Sequence, residues 1–421
     1  MSAAGPLQTQ INSVIALYSN GQIQEALDAV GALIKDYPNN PLLYNISGIC
    51  YKTIGKLDEA IKSFEKALAL KPDYAEVHYN LGVTLQELGQ LDAAVKCYEQ
   101  ALTIKPDYAN ACNNLGVTLQ ELGQLDEAVK SFEKALAIMP EYADAHYNLG
   151  FTIQGLGQLD DAIKCYEKAI AIKPDYTEAH NNLGIALKQL GQPDAAVKCY
   201  EQALAIKPDY AEAHNNLGNA LKDLHKLDAA VKSFIEALDI KPDYAEAHNN
   251  LGLTLNNLGQ LDAAVKSYGK ALAIKPEYAD AHFNLGLTML DLKQLDEALA
   301  SFDRAIIFKS DLKSDLDFIL GVILHTKMNL CLWDDLANRL NELTKKINSS
   351  EKAIMPFALL ALIDDPEVQR KNAGIFVGDK YRKSHVLSKI ERYPKHIKIL
   401  IGYFSSDFRI HPVSDLIVEL F

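Results

Sequence analysis

The chain has 421 residues, and its 42 lysines and arginines against 55 aspartates and glutamates leave a formal charge of −13. That sign opposes the phosphate attraction on which generic binding to nucleic acid or an anionic membrane rests, so neither partner is expected. A hydrophobic fraction of 48% with 23% charged residues suits a folded chain and is too apolar for intrinsic disorder.

Residues 1–20 carry no basic flank leading into an apolar core, and no uncharged run approaches the roughly 18 residues of a membrane span. The expected location is cytoplasmic. From there a repeat takes over: Pro38, Pro72, Pro106, Pro140, Pro174, Pro208, Pro242 and Pro276 are each 34 residues apart, as are the glycines from Gly48 to Gly286. Length alone suggests about three domains, but so strict a period overrides that estimate. Nine units fit, beginning at Leu7, Pro41, Ala75, Ala109, Ala143, Thr177, Ala211, Ala245 and Ala279; the first is degenerate and the last has Ser310 in place of the proline.

Within a unit, counted from Ala75 as position 1, His78, Leu81, Gly82 and Leu85 follow the i, i+3, i+4, i+7 spacing of one helix face. This is helix A. After the turn Gly89 to Asp92, helix B runs through Ala94, Val95, Tyr98, Ala101 and Leu102 to Lys105, where the following proline disfavours further helix. Small residues at positions 8, 20 and 27 allow close approach, and neither helix can bury its stripe without a neighbouring unit. Residues 7–312 are therefore expected to form one α-α solenoid. Leu81, Gly82, Ala94, Tyr98, Ala101 and Pro106, at positions 7, 8, 20, 24, 27 and 32, resemble the tetratricopeptide repeat, which implies an all-α right-handed superhelix with helix A on its inner wall.

Position 6 is asparagine in seven consecutive units: Asn80, Asn114, Asn148, Asn182, Asn216, Asn250 and Asn284. It lies far round the helix from the packed stripe, so packing does not demand it. On the inner wall these side chains would form a ladder whose amide donors and acceptors match the backbone of an extended polypeptide without reading its side chains. With units about 10 Å apart and an extended strand rising about 3.3 Å per residue, one rung meets roughly every third residue. A solvated polar face copied by duplication is the plainer alternative. Position 4 is histidine in six units, His78, His146, His180, His214, His248 and His282. These histidines sit on the packed stripe about 10 Å apart, too far for one zinc ion with donors at about 2.0–2.1 Å, and no metal site is expected. A carboxylate clamp needs lysine or arginine on helix A, yet position 2 is mostly acidic and position 5 is Asn, Tyr or Phe, so no clamp is expected. Cys97, Cys165 and Cys199 occur where other units have serine, which reads as small helical filler, and no CxxC pair exists.

After Ser310 the register fails. Phe318–Leu330 and Leu332–Leu343 read as two further helices, Ser350–Pro366 as an apolar segment, and Glu367–Lys383 as a polar helix within a connector over 313–392. Lys395–Phe404 reads as a β-strand followed by a turn and a helix start near Pro412, the opening of an α/β layer over 393–421. The segments Gly321–Asp335, Met355–Pro366 and above all Ile401–Ser414 (IGYFSSDFRIHPVS) resemble the protein O-linked N-acetylglucosamine transferase and Spindly family, bacterial type. That resemblance implies an inverting, metal-independent transferase with a two-lobed GT-B fold, whose repeat arm threads Ser/Thr-bearing polypeptide acceptors. It implies UDP-N-acetylglucosamine (UDP-GlcNAc) as donor substrate, with GDP-fucose as the alternative donor and no cofactor held by this chain. It places His411 at the catalytic cleft as a base or binding group, with Asp407, Arg409 and Ser414 in the same loop; Asp415 stands where many members have a second histidine. Because Phe421 falls just inside the first lobe, the polypeptide alone is expected to have little or no transferase activity, as a fragment or a truncated paralogue. A non-enzymatic tetratricopeptide interaction scaffold is the rival expectation.

Overall fold

The computed structural model describes residues 6–308, 319–332, 336–360 and 362–380, and all regular structure among them is α-helical. The expected strand at 395–404, the loop holding His411 and the start of the α/β lobe lie outside the described residues. The chain divides into two compact units.

The larger unit is the repeat array. Its helices alternate from Pro6–Ser19 to Leu295–Ile307, and in the unit counted from Ala75 helix A is Ala75–Glu87 and helix B is Leu91–Ile104. No side chain caps helix A at Tyr74, but Glu76 lies in its first turn, where a carboxylate favours the positive end of the helix dipole. Leu88 and then Gly89, at φ +73°, end helix A in the left-handed region that glycine adopts without strain. Helix B stops when the Lys105 N–H returns to the Ala101 carbonyl, one residue before Pro106.

Close approach of A and B fixes position 8. A Cβ built on Gly82 would stand 2.8 Å from the Tyr98 ring, and one on Gly116 would stand 2.6 Å from Phe132. The aromatic at position 24 is wholly buried in every unit from Phe64 to Phe302, between fully buried alanines at positions 20 and 27. Burial of each such ring stabilises by roughly 1.5–3 kcal/mol. Across units, successive A helices lie against one another, whereas successive B helices do not approach as closely. Clefts of about 550 Å³ open on the B side, one lined by Leu136, His146, Lys168 and Ile172, another by Leu238, His248, Lys270 and Ile274. The wedge-shaped spacing puts the A helices on the inner wall of the array.

In the smaller unit, Leu320 and Leu324 pack with Leu343, Ile347, Ile354, Leu359 and Val368. The helices observed after the array are Ile319–Asn329, whose residues from Thr326 on group with the larger unit, and Leu336–Asn348, Pro356–Leu360 and Pro366–Lys380. The second therefore starts and ends later than expected, and the apolar segment supplies one short helix begun by Pro356, a residue suited to a first helical turn.

Candidate functional site: the inner wall of the array

Each rung asparagine is half-buried and already holds a partner in the preceding unit. Asn80 donates from Nδ2 to Asn45 Oδ1 at 3.0 Å, Asn148 to Asn113 at 3.1 Å, Asn216 to Asn181 at 3.0 Å, Asn250 to Asn215 at 3.0 Å and Asn284 to Asn249 at 3.1 Å. Where position 5 is tyrosine its hydroxyl accepts instead: Asn114 donates to Tyr79 at 3.1 Å and Asn182 to Tyr147 at 3.0 Å. Packing therefore does use the ladder, and the expectation that it does not is corrected. One amide N–H of every rung sews its helix to the one before. The carboxamide oxygen is a different matter. Asn114 and Asn182 accept from Asn113 and Asn181 at 3.3 and 3.2 Å, but among the described residues no hydrogen bond reaches the Oδ1 of Asn80, Asn148, Asn216, Asn250 or Asn284.

The position 5 partners were not singled out from sequence. Asn181 and Asn215 are 0% and 1% exposed, deeper than the rungs they support. Their signal was the spacing: every stitch joins residues 35 apart, one more than the repeat. A second line of stitches has the same spacing between positions 12 and 13. Gln86 donates to Glu121 at 2.9 Å, Gln154 to Gln189 at 2.9 Å, and Lys52 and Lys188 pair with Glu87 and Asp223 at 2.7 and 3.3 Å.

Between these two lines runs position 9: Ile49, Val83, Val117, Phe151, Ile185, Asn219, Leu253 and Leu287, with Phe151 48% exposed. The floor is apolar save for Asn219. Along the position 2 edge stand the acidic residues and the tyrosines at position 34. Burial first, and nearby tyrosine and glutamate charges second, push the Tyr108 hydroxyl up to about 12; burial and then Glu246 and Glu212 do the same at Tyr244. These phenols stay neutral hydrogen-bonding groups at pH 7. Lysine is also present on this wall, at position 12, as Lys52, Lys188 and Lys222.

The position 4 histidines have a local task. Nε2 of His78, His146, His180, His214, His248 and His282 lies 2.9–3.0 Å from the carbonyl of the proline six residues earlier, tying helix A to the preceding loop. A carbonyl only accepts, so Nε2 carries the proton. Among the described residues no three His, Cys, Asp or Glu side chains gather as a metal site. Burial pushes the Cys97 and Cys199 thiols up to about 11 and raises that of Cys165, away from a reactive thiolate. Among the described residues no helix is long and apolar enough to cross a membrane.

Models described as tetratricopeptide repeat or TPR repeat match residues 73–141, 141–209, 48–89, 218–259, 254–293 and 199–232. Together they cover residues 48–293, more than half of the chain. The chain belongs to the tetratricopeptide repeat family. It is 30% identical over 83 residues to the peroxisomal targeting signal receptor of Candida glabrata, a match covering 18% of this chain and 14% of that one. It is 29% identical over 73 residues to the receptor of the same name from Kluyveromyces lactis, covering 17% and 13%. The chain thus spans about a seventh of the length of these curated relatives. Among solved structures, the tetratricopeptide array is similar to MamA (31% identity, 39% of this chain, 96% of that chain, TM-score 0.37). It is also similar to YrrB, described as a TPR protein with an unusual peptide-binding site (24% identity, 44% of this chain, 96% of that chain, TM-score 0.39).

Proposed function

We propose that the inner wall of the tetratricopeptide array holds an extended polypeptide, with the rung asparagines Asn80, Asn114, Asn148, Asn182, Asn216, Asn250 and Asn284 contacting its backbone. One observation carries this reading: the carboxamide oxygens of a regular series of half-buried asparagines, five of them without a partner among the described residues, lie along a wall whose own helices are already sewn together. A half-buried acceptor without a partner suits the N–H of an extended chain. Because each rung also bridges helices, alanine at position 6 removes two interactions at once. The control is alanine at Asn113, Asn215 or Asn249, which cuts a stitch and leaves the rung oxygen in place. Rung variants that weaken peptide binding in a fluorescence anisotropy titration, beside controls that do not, support the proposal; equal effects from both sets defeat it.

A more specific reading rests on the sequence Ile401–Ser414. In it the chain comprises the array over 7–312, a helical connector over 313–392 and the first part of a glycosyltransferase lobe over 393–421, serving as the acceptor-binding arm of a protein O-glycosyltransferase. UDP-GlcNAc is the donor and GDP-fucose the alternative, with His411 at the cleft as a base or phosphate-binding group. Incubating the full natural gene product with each labelled donor and a Ser/Thr-rich acceptor tests it. Label transfer lost in His411→Ala supports it, and absence of transfer from a folded product favours the interaction scaffold.

A further inference from the structure

The inner wall changes character along position 12, which is Lys52 in the unit from Pro41, paired with Glu87. Position 12 is glutamine in three successive units, Gln86, Gln120 and Gln154, and then lysine in two, Lys188 and Lys222. In two of the glutamine units the side chain is occupied from beneath, Tyr98 donating to Gln86 at 3.0 Å and Tyr166 to Gln154 at 2.7 Å, and in the third Thr152 donates to Gln120 at 3.2 Å. An ammonium cannot accept, and the buried Tyr200 hydroxyl, in the place equivalent to Tyr98 and Tyr166, is left without a partner. Lys188 reaches onward to Asp223, its partner 35 residues later. Lys222 has no such partner, because 35 residues after it stands Asn257, and no carboxylate among the described residues lies within ion-pair distance of it.

Two ammonium groups therefore share one carboxylate, and one of them is half-buried and unpaired in a chain of net charge −13. Burial lowers the Lys222 pKa, with Lys188 adding to that effect and Asp223 opposing it. One turn before Lys222, on the same helix Ala211–Asp223, the apolar floor is interrupted by Asn219, which adds a carboxamide within the same stretch of groove. A cation held this way has lost part of its hydration while the nearby carboxylate, Asp223, is engaged by Lys188, and an arriving anion restores the balance.

We propose that Lys222, with Lys188 and Asn219, forms a subsite for a carboxylate side chain, Asp or Glu, of the polypeptide lying along the asparagine ladder. The inference rests on the polypeptide reading above and adds to it a preference in sequence: the groove reads one acidic side chain at one register, in addition to backbone. The two neighbouring hydrophobic stretches of floor, ending at Ile185 and resuming at Leu253, leave this polar stretch flanked by apolar ones.

The test uses the whole chain and a set of fluorescein-labelled extended peptides in which one glutamate is moved through the sequence, each paired with its glutamine counterpart. At one register the glutamate peptide is expected to bind about tenfold more tightly than its glutamine pair, as for a charge-assisted hydrogen bond. Raising the salt concentration should shrink that ratio. Lys222→Met should erase the ratio, Lys188→Met should reduce it, and Lys222→Arg should keep it. Equal binding of both members of every pair, or a ratio that persists in Lys222→Met, overturns the subsite and leaves the backbone reading standing. If no peptide binds at any register, both fall together.

Discussion

Asn216 donates from Nδ2 to the Oδ1 of Asn181 at 3.0 Å, and the acceptor is wholly buried although it lies on the helix face nearest the groove. The pair joins the first helices of two successive units, and its equivalents recur along the array.

Removing the deeper partner should therefore cost more than removing the rung. Asn181→Ala is expected to destabilise by about 1–2 kcal/mol and Asn216→Ala by about 1 kcal/mol or less, as for a buried and a partly solvated hydrogen-bonding group. In a double-mutant cycle read by guanidinium unfolding, the two should couple by about 1 kcal/mol; additive effects would deny the stitch.

His225 and Lys293 take the place of the turn glycine, at φ +57° and +63°, where Gly89, Gly123, Gly157, Gly191 and Gly259 stand in other units at +73° to +80°. A side chain there costs roughly 1 kcal/mol against the left-handed preference of L-residues. His225→Gly should raise the thermal midpoint, and Gly191→Ala should lower it. No change in either would place the turn outside the region described.

Tyr200 and Tyr166 occupy the same position, but only Tyr166 has a hydrogen-bond acceptor for its hydroxyl. Tyr200→Phe should leave stability unchanged or raise it by about 1 kcal/mol, because a buried unpaired hydroxyl is removed. Tyr166→Phe should cost about 1 kcal/mol. Phenylalanine already fills this position in Phe64, Phe132, Phe234 and Phe302, so both variants should fold.

Burial lowers the pKa of His146, His248 and His282, with the proline carbonyl partly opposing it and a nearby Lys168, Lys270 or Arg304 adding to it. The folded state thus binds protons less readily than the unfolded chain. Above the unfolded value of about 6.5 these groups are neutral in both states and cost nothing. As pH falls from there through the folded values, protons favour the unfolded chain and stability is lost. The denaturation midpoint should drop between pH 7.5 and 5.5, and His146→Gln should flatten that drop. A slope indifferent to all three histidines would contradict the assignment.

The architecture was legible because its information is periodic. Gly82 and Tyr98 mark the A–B contact, Pro106 the helix stop and Gly89 the turn, and each recurs 34 residues on. The rung asparagines were legible as a series, but half of their meaning was hidden. Helix geometry locates Asn216 on the inner wall; only coordinates reveal that Asn181, one unit earlier, accepts its hydrogen bond. Lys222 was missed for a similar reason. Its interest lies in what is lacking 35 residues later, at Asn257, and an absent partner is visible only once the rule for partners is known. Of the segment from 381 onward, including His411, the reading remains one of sequence alone.

The first helices are sewn to one another and the second helices stand apart with clefts between them, so every inner-wall stitch lies on one side of the array. In the polypeptide reading proposed above, that one-sided seam would set a ruler of regular gradation against the client's backbone.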